Sequence, residues 1–444
     1  EGGQSVSIMG DNSGGYYWLR YTGRHWEIYN YATSGYVDNN SVARRASASW
    51  GTSDQTEISA AYNFNLVQTY YYNIHSRNSY DGSGVKALAN VHVSGDTDNA
   101  SWDPNTQQFY FYPGSYFGEL TVLDVCAHEF THAVTEKTAD LVYQNEPGAL
   151  NESFSDVFGA IIEFANQPDG RASYPARTAG YADWLIGEDC TYPYDVALRD
   201  MRNPRRYSNP SKYHGTDWYY GSDDNGGVHY NNGVQNHFFY LLCEGGSGNN
   251  DSISYNITGI GVENARLIAY RALTVYCTRN TDYAAVRTAW ISAAQDLNSS
   301  WVSSVQTAWA AVGVDDTGVT TTKVGPAIKA NGVTNNITVN YPDTVSVTVE
   351  MNADIYAGVD VDWWVVALAG SSWFYMDSAA GWTQEGAWRP VYQGALGNLP
   401  ATKVLDMAGL QIGSYTFWFA VDYPMDGVLT EDAIWFDSVN VTVQ

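Results

Sequence analysis

Apolar residues recur at helical spacing across 54–74, where Ala60, Ala61, Phe64, Val67 and Tyr71 line up on one face and predict a helix. Elsewhere before about residue 120 the pattern is strand-like and broken by turn signals, as at 16–21 and 85–93. From His128 to Val312 helical periods dominate, for example at 262–276 and 283–297. The character changes at 315–335, a polar, turn-rich stretch that predicts a linker. Beyond it, alternating apolar and polar positions recur at 337–340, 345–349, 363–368, 415–420 and 439–443, the signature of a small all-β sandwich. The predicted fold class is therefore α+β. It comprises a β-rich N-terminal lobe at 1–127, a helical lobe at 128–314, the linker at 315–335 and a β-sandwich at 336–444. Trp363, Trp373, Trp382 and Trp388 of the last domain read as core in preference to an exposed platform.

Chemistry enters at His128-Glu129-Phe130-Thr131-His132, which lies within an apolar run reading as a largely buried helix. Residues four apart on a helix share a face, so His128 and His132 can offer two imidazole nitrogens to one metal. Glu129 then sits beside the ion as a base for water activated there. A catalytic zinc wants a third protein ligand and an open fourth position. Glu152 meets that need. It opens a second helix-like run after nineteen intervening residues, and a loop around 144–148 would return it to the histidines. Asp156, one turn later, is placed to accept the outer ring N–H of a ligating histidine.

These motifs resemble those of the thermolysin-like neutral metalloproteases over about the first residues to Gly313, most closely from Asn99 to Tyr240. By that resemblance Asn99, Ala100 and Trp102 belong to the edge strand that holds the substrate backbone. Tyr143 hydrogen-bonds the developing oxyanion, Arg199 binds a substrate carbonyl, and the segment Asp224-Asn225-Gly226-Gly227-Val228-His229 supplies a transition-state histidine oriented by Asp224. Val125, Ile186 and Leu198 would line the pocket for an apolar residue after the cut, with Glu119 standing where the family usually has an apolar residue. The resemblance implies one catalytic zinc and at least one structural calcium, the latter on Asp124, Glu163, Asp183 and Glu188 with the Leu185 carbonyl. Because that calcium would draw Asp124 and Glu188 together, the expected disulfides are Cys126–Cys190 and Cys243–Cys277.

Composition narrows the partners. A formal net charge of −26, from 22 basic against 48 acidic residues, argues against nucleic acid or anionic membrane. No apolar run approaches transmembrane length. No signal segment stands at Glu1-Gly2-Gly3-Gln4, as expected for a processed product. The expectation is a secreted, monomeric endopeptidase acting on proteins or peptides. Two other classes stand beside it. A zinc aminopeptidase would share the zinc motif, and a non-catalytic zinc-containing adhesion protein would need neither Glu129, Tyr143 nor His229.

Overall fold

The computed structural model describes residues 7, 10–13, 16–21, 23, 25–30, 42–174, 179–191, 196–314, 325–334, 336–353, 358–384, 387–422, 425–429 and 434–444. The chain divides into two compact units, Glu1–Asp316 and Thr317–Gln444.

In the first unit a five-stranded mixed sheet is built from β1 (Arg20–Tyr21), β2 (Trp26–Asn30), β3 (Ala87–Val91), β4 (Ala100–Asp103) and β5 (Gln108–Phe111). Its spatial order is β1-β2-β3-β5-β4, so β4 forms an edge. The predicted first helix is α1 (Gln55–His75), with Ala60, Ala61, Phe64, Val67 and Tyr71 all buried. It ends at Ser76, whose left-handed backbone (φ 54°) returns an N–H to the Tyr71 carbonyl.

Two long helices carry the central chemistry: α2 (Leu123–Glu136) and α3 (Asn145–Asn166). Phe130, on the face of α2 opposite its histidines, is buried in an aromatic cluster. Its ring stacks on Phe109 of β5 at 5.9 Å and lies 5.4 Å from Tyr71 of α1. Thr131 Oγ1 hydrogen-bonds Tyr71 Oη at 2.8 Å. The sheet and α1 thus fix the rotation of the zinc helix about its axis, which decides where His128 and His132 point.

The helical part continues through two short strands, β6 (Leu185–Ile186) and β7 (Arg199–Asp200). Helices α4 (Asp223–Asn231), α5 (Gly233–Glu244), α6 (Val262–Arg271), α7 (Tyr283–Leu297) and α8 (Val302–Ala311) follow. The predicted helix at 262–276 changes to a π-helical turn at Ala272–Tyr276.

The second unit is all β, as expected. A three-stranded sheet holds Gly325–Ala330, Thr344–Asn352 and Leu399–Ala408, and a seven-stranded sheet contains Asp360–Ala369, Gly413–Asp422 and Ile434–Val443 at its centre. Val345, Val347 and Val349 of the first sheet and Trp363, Phe419 and Val441 of the second share one core. The strand Gly325–Ala330 falls within the stretch predicted as linker. Its Gly325-Pro326 start reads as a turn, yet it pairs on one side only, where proline is tolerated. Residues 315–324 of that linker lie outside the described residues. Of the four tryptophans expected in the core, Trp363 is buried and Trp382 packs against it, whereas Trp373 is exposed and clusters with Trp388 and Trp418 at 5.4 and 5.2 Å.

Candidate metal centre and active site

His128 and His132 face the same side of α2, with their Nε2 atoms 3.0 Å apart. Helix α3 brings Glu152 onto them. Its Oε2 lies 3.4 Å from His128 Nε2 and its Oε1 3.2 Å from His132 Nε2. The three side chains form a cluster of metal-binding size.

The outer nitrogens decide the tautomers. His128 Nδ1 lies 2.9 Å from Asp156 Oδ1, and His132 Nδ1 lies 2.8 Å from Asn151 Oδ1. Asn151 Nδ2 is spent on the Leu141 carbonyl at 3.1 Å, so its oxygen must be the acceptor. Both Nδ1 atoms therefore donate, and both Nε2 lone pairs converge beside a buried Glu152 Oε2 that has no hydrogen-bond partner. Two nitrogens with one carboxylate are a donor set that fits catalytic zinc. Burial opposes charge on His128, yet Asp156 and Glu152 outweigh it and raise the ring to about 10. Glu152 moves the other way: burial raises it, while His229 and His132 drive it well below the usual carboxylate range.

Asp156 is the hub of the support. Arg199 donates from Nε and Nη2 to its two oxygens, each at 2.6 Å, and Asn232 and Asn236 of the α4–α5 region donate to Oδ2 at 3.0 and 2.7 Å. Burial would raise this carboxyl, but Arg199 and His128 prevail and hold it at about 2. Two of the Arg199 nitrogens assigned by resemblance to substrate thus lie on Asp156. Asn151, Asn232 and Asn236 were not anticipated from sequence. The signal was available in α5, where Asn236 is buried among Val234, Phe238 and Phe239 and must find a partner.

Across the cluster stand Tyr143 and His229. The tyrosine hydroxyl donates to Glu152 Oε1 and lies 3.1 Å from His229 Nε2. Burial, then the charges of Glu152 and Glu129, push the Tyr143 phenol far above its ordinary value, so it remains a donor. The His229 N–H and Nδ1 both meet Asp224, at 2.9 and 2.6 Å. Asp224 can reach back because Asp224, Asn225, Gly226 and Gly227 are all left-handed, with φ of 53°, 50°, 84° and 80°. Glu129 is buried on α2 next to the ligands.

Comparison with known proteins places this geometry. The profile described as thermolysin metallopeptidase, catalytic domain, matches residues 1–136, and that described as thermolysin metallopeptidase, alpha-helical domain, matches 139–314. The neutral protease NprE of Bacillus pumilus is 38% identical over 268 residues, covering 59% of this chain and 78% of that protein. The chain belongs to the thermolysin metallopeptidase family. A thermolysin of Bacillus sp. strain EA1 is 38% identical over 310 residues, covering 68% of this chain and 52% of the relative. Among solved structures, the precursor of protealysin, a metalloproteinase from Serratia proteamaculans, superposes with a TM-score of 0.51 at 29% identity, covering 65% of this chain and 87% of that one. The chain spans about half the length of several curated relatives, 46%, 56% and 52% for three of them.

The remaining residues picked out by family resemblance are distributed as follows. Ala100 and Trp102 lie on edge strand β4, but Trp102 turns inward. Its indole N–H donates to Glu136 at 2.6 Å and its ring packs on Phe109 at 4.6 Å. Asn99 donates to Asp96 at 3.0 Å. Ile186 and Leu198 adjoin where the Leu198 N–H meets the Ile186 carbonyl at 2.8 Å, and Val125 is buried on α2. Among the acids expected to hold calcium, Glu163 and Glu188 cluster with Asp189, which the sequence reading had passed over. Asp124 receives the N–H groups of Val125 and Gly187, and Asp183 that of Leu185 at 2.7 Å. Part of the neighbouring loop, 192–195, lies outside the described residues.

The disulfide expectation is corrected. No bridge joins Cys126, Cys190, Cys243 or Cys277, and all four are buried. The Cys190 thiol instead donates to the Gly187 carbonyl at 2.8 Å, and burial pushes the Cys243 thiol well above its ordinary range. The pairing had been inferred from carboxylates a shared calcium would gather, and closeness of neighbouring residues does not by itself orient two sulfur atoms for bonding.

Proposed function

We propose that this chain is a zinc endopeptidase that hydrolyses internal peptide bonds on the amino side of an apolar residue. The observation that carries the reading is Glu129 set between two histidines whose Nε2 atoms converge on Glu152, with Tyr143 and His229 facing the same point. His128, His132 and Glu152 would hold a zinc ion, which when bound would supply Lewis acidity toward the attacking water and the scissile carbonyl. Glu129 takes a proton from that water and delivers it to the leaving amide nitrogen. The Tyr143 hydroxyl and the His229 ring donate to the oxygen on which negative charge develops. Asp224 accepts the Nδ1 proton and keeps the ring aimed. Val125, Ile186 and Leu198 form the apolar pocket that selects the residue after the cut, and Asn99 and Ala100 offer the edge that aligns the substrate.

A calcium site completes the reading. Glu163 has both carboxylate oxygens buried without hydrogen-bond partners. Burial raises its pKa well above normal, and Glu188, Asp124, Asp189 and Asp183 add to that. An all-oxygen donor set of this kind suits a hard cation, with Glu188, Asp189 and the Leu185 carbonyl as further ligands. Among the described residues no helix is long and apolar enough to cross a membrane, and the sequence carries a formal net charge of −26; secretion and a monomeric state are part of the same proposal.

A mixed peptide library incubated with and without a zinc chelator tests the reaction. Internal cuts before apolar residues, abolished by the chelator, are expected. Stepwise loss of amino-terminal residues would replace the proposal with an aminopeptidase, and zinc-dependent binding without cleavage would replace it with an adhesion protein.

A further inference from the structure

Tyr143 and His229 are 86 residues apart, yet their supporting backbones interlock with no slack. Gly148, in the first turn of α3, lies so close to the His229 segment that a Cβ there would stand 2.5 Å from Val228 Cγ1 and 3.0 Å from the carbonyl carbon of Tyr143. Gly226, at φ 84°, lies against the Asn145 side chain, where a Cβ would approach Asn145 Oδ1 to 2.1 Å. Asn145 itself takes a left-handed backbone (φ 53°). Val228 is fully buried, so its isopropyl group cannot turn out to solvent. The far side of the turn is closed as well. Tyr219 packs over Gly227, stacks on Tyr230 at 5.2 Å, and exchanges two hydrogen bonds with Asn231 at 2.9 and 3.0 Å.

We propose that Val228 and Asn145 are positioning residues, the contacts through which the 143–148 segment and the 224–229 turn set the spacing of Tyr143 and His229 for the oxyanion. This rests on the endopeptidase reading. Neither residue touches the reacting atoms. Each is held between a donor and a glycine of the opposite segment, so a change in its bulk shifts one donor relative to the other. The device explains why Gly148 is needed in a helix, where glycine otherwise costs stability relative to alanine.

The test is a cycle built on Gly148→Ala. The new methyl must be accommodated by opening the contact from 2.5 Å to at least the 3.4 Å of ordinary packing, a displacement of roughly one ångström. A misplacement of about that size can cost on the order of a hundredfold in turnover. The expected result is a kcat lowered about ten- to a hundredfold with KM and zinc content little changed, and most of the loss recovered in Gly148→Ala/Val228→Ala. In a Tyr143→Phe background the same Gly148→Ala change should cost much less, because the donor it displaces is already gone. Val228→Ala and Asn145→Ala alone, which only remove atoms, should lower kcat several-fold without raising KM and so read the proposal even if Gly148→Ala misfolds. Unchanged kcat in both trimmed variants, no recovery in the double variant, or an undiminished Gly148→Ala effect beside Tyr143→Phe would each overturn the proposal. Loss of zinc or of substrate cleavage in the unmodified protein would instead strike the endopeptidase reading.

Discussion

The zinc centre and the acidic cluster at Glu163 are both buried gatherings of carboxylates, and they handle their charge in opposite ways. At the zinc centre protein groups answer the acids, save for Glu152 Oε2. Asp156 has Arg199, two asparagines and His128 and is held at about 2, and Glu152 is driven low by histidines. At the other cluster, burial and four neighbouring acids push Glu163 up, and neither of its oxygens receives a hydrogen bond. The first site is pre-organised by hydrogen bonds and directs its ligands whatever occupies it. The second stores a repulsion that a bound proton or a cation would relieve. Removing a partner should therefore damage the first, whereas neutralising an acid should relieve the second.

The largest effect is expected on the chemistry itself. Glu129→Gln should retain zinc and fold normally while turnover falls by about 10²–10⁴, the usual contribution of general acid–base catalysis. Metal analysis beside steady-state kinetics checks both halves, and a substantial residual rate would remove Glu129 from its role. His229→Phe should lose less, since Tyr143 still donates to the oxyanion.

Asp156→Asn breaks the comparison on the zinc side. It takes the counter-charge from the largely buried Arg199 and turns one of the two acceptor oxygens, shared among Arg199, His128, Asn232 and Asn236, into an amide donor. Thermal or denaturant unfolding should show a loss of about 3–5 kcal/mol, and competition with a chelator should show zinc affinity reduced about 10–100-fold. A fully stable variant with normal zinc affinity would mean that the hub is ornamental.

Glu163→Gln sharpens the other side. With calcium present the variant should be less stable than the parent, because it has lost a charged ligand. In a calcium-selective chelator the order should reverse, because repulsion among the acids is reduced. A calcium level of about a hundred times Kd would stabilise the parent by about 2.7 kcal/mol, and its removal should speed inactivation and autolysis more than it slows initial turnover. Parent stability indifferent to calcium would eliminate the site.

These contrasts mark where sequence was readable. His128 and His132 were legible because helical spacing is local, and Glu152 and Asp156 because a second apolar helix could only fold back against the first. The sandwich was legible because apolar and polar positions alternate at 345–349 and 439–443. Asn232 and Asn236 were not found, since the partner that explains them is about 80 residues away. Asp189, which clusters with Glu163 and Glu188, was not among the acids chosen by resemblance. The left-handed run at 224–227 was recognised as a motif but not as a shape, because two of its residues are not glycine. The cysteine pairing failed because it stacked one inference on another.

Glu146 offers a third, intermediate case and the smallest of the expected effects. It is half-buried at the start of α3 and accepts from Tyr213 Oη at 2.7 Å and the Tyr283 N–H at 2.9 Å, and among the described residues no cation pairs with it. Burial raises it from 4.5 to about 7, against those two hydrogen bonds. The folded pKa lies above the unfolded one, so the unfolded chain releases the proton first as pH rises. Stability linked to Glu146 is then complete below about 4.5 and declines until the folded group ionises near 7. Glu146→Gln removes the titration while keeping one acceptor oxygen for the Tyr283 N–H, and its amide NH2 can donate to the Tyr213 hydroxyl, which turns from donor to acceptor. At fixed calcium and zinc, its stability relative to the parent should improve between pH 5 and pH 8, by on the order of 1–3 kcal/mol. A difference that stays flat over that range would show that two neutral donors suffice to hold this carboxylate ionised. The Arg199 clamp on Asp156 would then be more than the electrostatics requires.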